Sequence, residues 1–332
     1  MSSQINFADK TILVTGGAGF LGREVVKALK NHGVKQEKII IPRSAEFDLR
    51  DQAQAMQMIK KFNPDTVIHL AARLGGIGDN MAHPAAYFYD NMMLGINIIE
   101  ACRTNKVNKL VNIGTVCSYP KIVPAPFKEE DLWNGYPEET NAPYGVSKKA
   151  VMVYAEAVNR EFGFNTVNLL VTNLYGPGDD FREQTSHVIP AIIKKMDNAK
   201  RNGDAEIIAW GDGSPSRDFV YVSDAAEGIV RAAALHNFPE PVNIGAGEEY
   251  TIKQLMEILK EETGFMGEIK WDTSRPNGQP RRLLDISRAR NAFGFNPATG
   301  FREGLKNTYN WYLSNYDLIH AQKPKFAESR QA

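Results

Sequence analysis

Short β-branched runs alternate with longer amphipathic stretches through the first half of the chain. Residues 11–15, 38–41, 66–70, 109–113 and 166–171 are rich in Val, Ile, Leu and Thr, the pattern of strands buried on both faces. Between them, residues 21–31, 52–62, 84–105 and 143–162 repeat apolar positions at helical spacing and predict helices. Strand, helix, strand repeated in this way demands right-handed crossovers and a parallel sheet covered on both faces. The expected fold class is therefore α/β, a Rossmann-type doubly wound parallel sheet. Beyond residue 172 the pattern loosens. Loops rich in Gly and Pro at 176–180, 211–216 and 275–280 separate helices predicted near 188–198, 252–263 and 302–314. Residues 222–235 and 242–245 read as one more helix and strand returning to the first sheet. The expected division is residues 1–171 plus about 218–246 as the doubly wound domain, and about 172–217 plus 247–320 as a smaller α/β domain, with 321–332 as a polar tail.

Composition narrows the function classes. At 332 residues and 43% apolar content the chain can bury a large core. Basic and acidic residues both number 39, so no global field exists to hold nucleic acid or an anionic membrane surface. Phosphate recognition must then be local. Cys102 and Cys117 are too few for a disulfide framework and lack the spacing of a zinc site, so no metal is expected and a reducing cytoplasm fits. No run approaches the ~20 apolar residues of a membrane span.

Gly16-Gly17-Ala18-Gly19-Phe20-Leu21-Gly22 follows the first strand and opens the first helix. Gly16 serves a tight turn, Gly19 a close backbone approach to a pyrophosphate, and Gly22 helix packing on the strand. The helix N-terminus then faces the phosphates. A glycine-rich turn also occurs as a plain connection, and its placement between strand and helix is what favours a cofactor. The second strand ends in Pro42-Arg43-Ser44 with no acidic residue. An acid there would accept from the NAD ribose, whereas Arg43 and Ser44 suit a 2′-phosphate, so NADP(H) is favoured. The alternative is an exposed surface arginine.

Tyr144 and Lys148 stand four residues apart behind Asn141, an expected N-cap, and Pro143, so they share one helical face. A nearby ammonium favours the phenolate and is expected to bring Tyr144 toward neutral pH. Tyr-x-x-x-Lys alone is common on helices. Its weight comes from Gly114-Thr115-Val116-Cys117 at the close of the fourth long strand, where Thr115 can orient a substrate oxygen toward Tyr144.

With the glycine loop, Thr115, Tyr144 and Lys148 resemble the Ser/Thr-Tyr-Lys triad of short-chain dehydrogenases/reductases. Further segments, residues 71–77, Asn91-Met92-Met93, residues 117–121, Asn173-Leu174-Tyr175-Gly176-Pro177, residues 186–190, Trp210-Gly211-Asp212-Gly213, Arg217-Asp218-Phe219 and residues 280–285, resemble the GDP-L-fucose synthase family over nearly the whole chain to about residue 314. The resemblance implies cytoplasmic homodimers that epimerise C3 and C5 of a GDP-4-keto-6-deoxyhexose and reduce C4 with NADPH. It implies Cys117 as base and His187 as acid. A thiol and an imidazole, with unperturbed pKa values of ~8.5 and ~6.5, suit proton exchange near neutrality. Alone, Cys117 would read as core and His187 as a packed or capping side chain. By the same resemblance Phe20, Leu21, Ala71, Ala72, Asn173, Leu174 and His187 join the cofactor site. The resemblance further implies that Lys195, Trp210, Arg217 and Arg282 contact the nucleotide sugar, with Trp210 suited to ring stacking and the cations to a diphosphate. The sequence departs from the family pattern in Thr115 for the commoner serine, which keeps the hydroxyl, and in Val116 for a second serine. The long helices at 84–105 and 143–162 are implied to pair in a dimer.

Rival readings are a related enzyme on a GDP-4-keto-6-deoxyheptose or of the GDP-colitose type, a UDP-sugar 4-epimerase, and a non-catalytic dinucleotide-binding protein. Cys117, His187 and Arg43 argue against the 4-epimerase, which needs no second proton-transfer pair and recycles NAD. The intact Tyr144 and Lys148 argue against the non-catalytic reading.

Overall fold

A computed structural model describes Ile5, Phe7 and residues 9–183, 185–274 and 279–321. Its first half runs β1 (Ile12–Thr15), α1 (Phe20–Asn31), β2 (Ile39–Ile40), α2 (Gln52–Phe62), β3 (Thr66–His69), α3 (Ile77–Ala82), α4 (Pro84–Thr104), β4 (Lys109–Thr115), α5 (Ala142–Phe162) and β5 (Thr166–Val171). There follow β6 (Asn173–Tyr175), α6 (Val188–Asn202), β7 (Glu206–Trp210), β8 (Ser216–Tyr221), α7 (Val222–Leu235), β9 (Val242–Ile244), β10 (Glu249–Thr251), α8 (Ile252–Thr263), β11 (Glu268–Asp272), β12 (Arg281–Arg282), α9 (Ser287–Phe293), α10 (Phe301–Ser314) and α11 (Tyr316–His320).

The main sheet is parallel with order β2-β1-β3-β4-β5-β9. The pleat explains its hydrophobic runs. Ile12 and Val14 face a cluster with α1 and α7, while Leu13 between them faces the opposite cluster with α2, α4 and α5. Chain order reverses across β1, between β2 and β3, and at such a point the carboxyl ends of the strands open a crevice for ligands.

The predicted elements of the first half recur with small shifts. β2 is shorter than expected, because residue 38 lies in a 3₁₀ turn over Gln36–Lys38 and Pro42 follows. β4 is longer, because Gly114 and Thr115 pair with Leu170 and Val171. Asn141 occupies the N-cap position of α5 without capping it, since its side-chain amide donates instead to Glu138 and Thr140.

The larger difference lies after β5. β8 forms the centre of a second sheet, parallel to β6 and β12 and antiparallel to β10, and β7 pairs in parallel with β11. Helices α6, α8 and α10 close a separate core around Tyr175, Phe219, Leu255 and Leu305. The middle of the 275–280 loop, residues 275–278, and tail residues 322–332 lie outside the described residues. Among the described residues no helix is long and apolar enough to cross a membrane.

Candidate active site

The glycine loop sits at the carboxyl end of β1. Gly16 has φ 69°, the left-handed region that glycine adopts without a side-chain clash, and its amide neighbours close the turn through Gly19 N to Gly16 O at 2.9 Å. A Cβ at Gly22 would overlap the Gly16 carbonyl oxygen, so this position keeps the first turn of α1 tight against the loop. Gly19 is the N-cap of α1 and supplies no side-chain cap, and no acidic residue stands in the first turn, so Phe20, Leu21 and Gly22 begin a helix whose free N–H groups are open to an anion. Ala71 packs on this loop, donating its amide to Thr15 Oγ1 at 3.2 Å, with Ala72 next in the chain. Ile41 lies against Gly17, which brings the end of β2 to the same rim. Two residues on, Arg43 and Ser44 are exposed, and Arg43 has no ion-pair partner among the described residues. These residues fit a dinucleotide carrying an additional phosphate.

β4 runs directly into a 3₁₀ turn over Val116–Ser118, begun by Thr115 Oγ1 accepting from Cys117 N at 3.2 Å. Helix α5 docks on this turn through Gly145, where a Cβ would overlap the Cys117 carbonyl oxygen, and Ser118 Oγ donates to Gly145 O at 2.9 Å. Tyr144 is thereby held over Thr115 and Cys117, with Lys148 one helical turn further along α5. The Tyr144 ring meets Tyr87 of α4 edge-on at 6.4 Å, and the Tyr87 hydroxyl donates to Asp79 Oδ2 at 2.5 Å.

Electrostatics correct one expectation. Burial pushes the Tyr144 phenol up, Cys117 adds to that, and only the Thr115 hydroxyl pulls it down. Lys148 is not among the groups that act on the phenol, and its own ammonium is buried, which lowers it to about 8. Below it, His69 is fully buried, bonds Thr15 Oγ1 through Nδ1 at 2.8 Å and is pushed down to about 3 by burial, with the Lys148 charge adding to the fall.

Two guanidiniums close the other side. Arg217 on β8 and Arg282 on β12 are register partners. Arg282 donates to Gln279 Oε1 at 2.7 Å and to Cys117 Sγ at 3.6 Å. Arg217 is lowered to about 10 by burial and by Arg282, with Cys117 and Glu138 acting in the opposite sense. Beneath both, Asp218 is fully buried and accepts from Ala246 N and Leu284 N, while its own carbonyl accepts from Thr172 Oγ1 and Asn173 Nδ2. Asn173 and Leu174 in β6 pair with Phe219 and Val220.

His187 comes from a separate loop that precedes α6. Arg23 of α1 donates to Gly178 O at 3.0 Å, which ties this loop to the glycine turn, and a Cβ at Gly76 would stand 3.3 Å from Ser186 O. His187 Nδ1 lies 3.9 Å from Asp179 Oδ1, and that carboxylate holds the imidazole above its ordinary range. Lys195 and Trp210 form a more distant, exposed pair of positions: Lys195 Nζ donates to Ile208 O at 2.8 Å, two residues before Trp210 on β7. Contacts thus join Thr115, Cys117, Tyr144, Arg217 and Arg282 directly, join His187 to the rim through neighbouring loops, and set Lys195 and Trp210 on the outer part of the second sheet system. Sequence reading does not single out Asp179, His69 or Tyr87. The one signal for Asp179 is an acid immediately after the Gly176-Pro177-Gly178 turn.

The chain is 37% identical over 312 residues to GDP-L-fucose synthase 1 of Arabidopsis thaliana, spanning 93% of this chain and 96% of that one. Among solved structures, a GDP-6-OMe-4-keto-L-xylo-heptose reductase from C. jejuni matches with a TM-score of 0.88 at 26% identity, covering 94% of this chain and 99% of that one. A GDP-L-fucose synthetase from Naegleria fowleri bound to NADP matches at 0.84 and 28% identity, covering 94% and 97%. With residues 12–245 also matched by the family's own sequence pattern, the chain belongs to the NAD dependent epimerase/dehydratase family.

Proposed function

We propose that the protein is an NADPH-dependent 3,5-epimerase/4-reductase that converts GDP-4-keto-6-deoxy-D-mannose to GDP-L-fucose. The observation that carries this reading is the docking of α5 on the Thr115–Cys117 turn, which sets a phenol, a hydroxyl and a thiol around one place for a ketone. A simple carbonyl reductase needs no thiol there.

The C4 ketone acidifies the hydrogens on C3 and C5. Cys117, as thiolate, takes one of them: the C–H bond breaks, an S–H bond forms, and the electron pair moves to the C4 oxygen. Tyr144 and Thr115 hold that enolate oxygen by hydrogen bonds. His187 gives a proton from Nε2 to the opposite face, which inverts the carbon, and both groups recover their starting states by exchange with solvent. After the second inversion Tyr144 donates its proton to the C4 oxygen as the ketone is reduced. When bound, NADPH supplies the hydride. Gly16, Gly19, Phe20, Leu21 and Gly22 hold its diphosphate, Arg43 and Ser44 its 2′-phosphate, and Lys148 its nicotinamide ribose, with Ala71, Ala72, Asn173, Leu174 and His187 completing the site. Arg217 and Arg282 face the sugar and its diphosphate, and Lys195 and Trp210 the outer part of the nucleotide.

The same reading divides the chain into residues 1–171 plus about 218–246 for the cofactor and about 172–217 plus 247–320 for the nucleotide sugar. It places a homodimer in the cytoplasm, in keeping with two unpaired cysteines. Purified protein given NADPH and GDP-4-keto-6-deoxy-D-mannose in D₂O is expected to consume the reduced-nicotinamide absorbance and yield GDP-L-fucose deuterated at C3 and C5. Unchanged absorbance removes the assignment. The likeness to a heptose reductase favours one second arm, a GDP-4-keto-heptose. Faster turnover there than on the hexose would move the substrate to the longer sugar.

A further inference from the structure

Asp179 is a buried carboxylate that the chemistry above leaves unused. Its side chain is 3% exposed, Oδ1 accepts from Asp180 N at 2.7 Å, and Oδ2 has no hydrogen-bond partner among the described residues. Asp180 beside it is fully engaged, accepting from Arg182 Nε, Arg182 Nη2 and Thr185 Oγ1. No lysine or arginine pairs with Asp179 among the described residues. Among the described residues the one cationic partner in reach is His187 Nδ1, at 3.9 Å. A buried charge with an empty oxygen is a costly arrangement unless something compensates it.

We propose that Asp179 is the positioning residue of His187: it fixes the imidazole with Nδ1–H toward its own carboxylate, so that Nε2–H is the bond presented to the sugar. The proposal rests on the reading of His187 as the proton donor. The half-exposed ring supports it, since one edge is committed to the protein and the other is open. The ion-pair distance lies just beyond a hydrogen bond, and catalytic contacts commonly tighten to one when substrate arrives. In the transfer, the Nε2–H bond breaks as the new C–H bond forms, the ring becomes neutral with its proton on Nδ1, and no proton passes to Asp179. A carboxylate behind an imidazole does this in hydrolytic triads, by setting tautomer and orientation.

The surroundings make the charge balance definite. From its own loop His187 faces Asp179 and Asp180, the latter already neutralised by Arg182. From α1 the Arg23 guanidinium reaches only as far as Gly178 O. Toward α3, Asp79 is committed to Tyr87 and His83. His187 is also the N-cap of α6, where the positive end of the helix disfavours an imidazolium. Asp179 must overcome that end effect, and removing its charge should leave His187 below an ordinary histidine.

The test uses the full chain and Asp179→Asn, with the His187 ring signal assigned by its loss in His187→Asn. In NMR titration the wild-type midpoint is expected above ~6.5 and the D179N midpoint about one unit lower. Deuterium exchange at C3 and C5 should slow by on the order of tenfold to a hundredfold in D179N, with its alkaline limb displaced to lower pH. Adding D179N to H187N should cost nothing further, because the carboxylate acts only through the ring. Additive losses, or an unmoved midpoint with H187N inactive, would overturn the positioning role alone. Wild-type exchange in H187N would instead overturn the proton-donor reading on which it rests. Should D179N fold poorly, a wild-type midpoint at or below ~6.5 is itself enough to reject the pair.

Discussion

Lys148 shows the conflict between stability and function at a single residue. Its side chain is buried at 5% exposure, with no hydrogen-bond or ion-pair partner among the described residues, and burial lowers it to about 8 from 10.5. An ammonium in that position opposes folding, and the proposed contact with the nicotinamide ribose supplies a reason to keep it. Lys148→Met, close in shape and without charge, should therefore raise the melting temperature by a few degrees at pH 7, from roughly 1–3 kcal/mol of relieved desolvation. The same change should lower reductase turnover at least a hundredfold. The sign with pH follows from the depressed value. Between about 8 and 10.5 the unfolded chain binds the proton that the folded chain has lost, so the wild type gains stability as pH rises through that window. The advantage of K148M is thus full below pH 8 and fades toward pH 10. Thermal melts of both proteins at pH 7 and pH 10 decide it; an equal or lower melting temperature for K148M at pH 7 would show that the ammonium is compensated.

At the scale of elements, the site depends on how closely α5 approaches the turn after β4. Gly145 lies between Tyr144, proposed as proton donor, and Lys148, proposed to hold the nicotinamide ribose, and its missing Cβ lets the helix rest on the Cys117 carbonyl. Farther along, Gly95 of α4 receives Val151 of α5 in the same manner. Gly145→Ala must push α5 away or bend the 3₁₀ turn, at a cost of about 1–3 kcal/mol for overpacking. A displacement of ~1 Å at a reacting group is enough for about a hundredfold loss in turnover. Turnover is expected to fall by that order while NADPH affinity, which rests mainly on the glycine loop, changes little; unchanged turnover in a folded G145A would show that the docking is not critical. The sequence makes α5 and the Tyr144–Lys148 pair visible because helical spacing is a local property. It does not make the docking visible, since Gly145 and Cys117 meet only after the crossover is complete. The second sheet is hidden for a related reason. β8 carries Ser216, Arg217 and Asp218 in a buried strand, and β10 and β12 have three and two residues, so neither alternation nor length marks them. Asp218 could not be told from a surface acid before Ala246 and Leu284 were seen to donate to it. The strands of the first sheet were legible because each is apolar on both faces.

For the molecule as a whole, the proposed chemistry gathers at the carboxyl ends of the main sheet, and the outer faces of the long helices α4 and α5 are proposed to serve a dimer. On α5, Val146, Ala150, Val153 and Ala157 recur at helical spacing on the side away from the sheet, and Val153 is 48% exposed. On α4, Phe88 and Tyr89 are 40% and 56% exposed. Each helix has 21 residues, or about 32 Å, long enough to pack along its full length against a copy of itself. A two-fold arrangement of the pair would make a four-helix interface in which the same stripe serves both protomers. On this reading Val153→Glu places two carboxylates near the axis of an apolar contact and should convert a dimer into monomers. Sedimentation at micromolar concentration is expected to give twice the 37.0 kDa chain mass for the wild type and the single mass for V153E. A wild-type monomer would dismiss the arrangement, and a V153E dimer would move the interface elsewhere. Because α5 also carries Tyr144 and Lys148, separation of the protomers should loosen the helix that frames the site, so V153E is expected to lose turnover together with its partner.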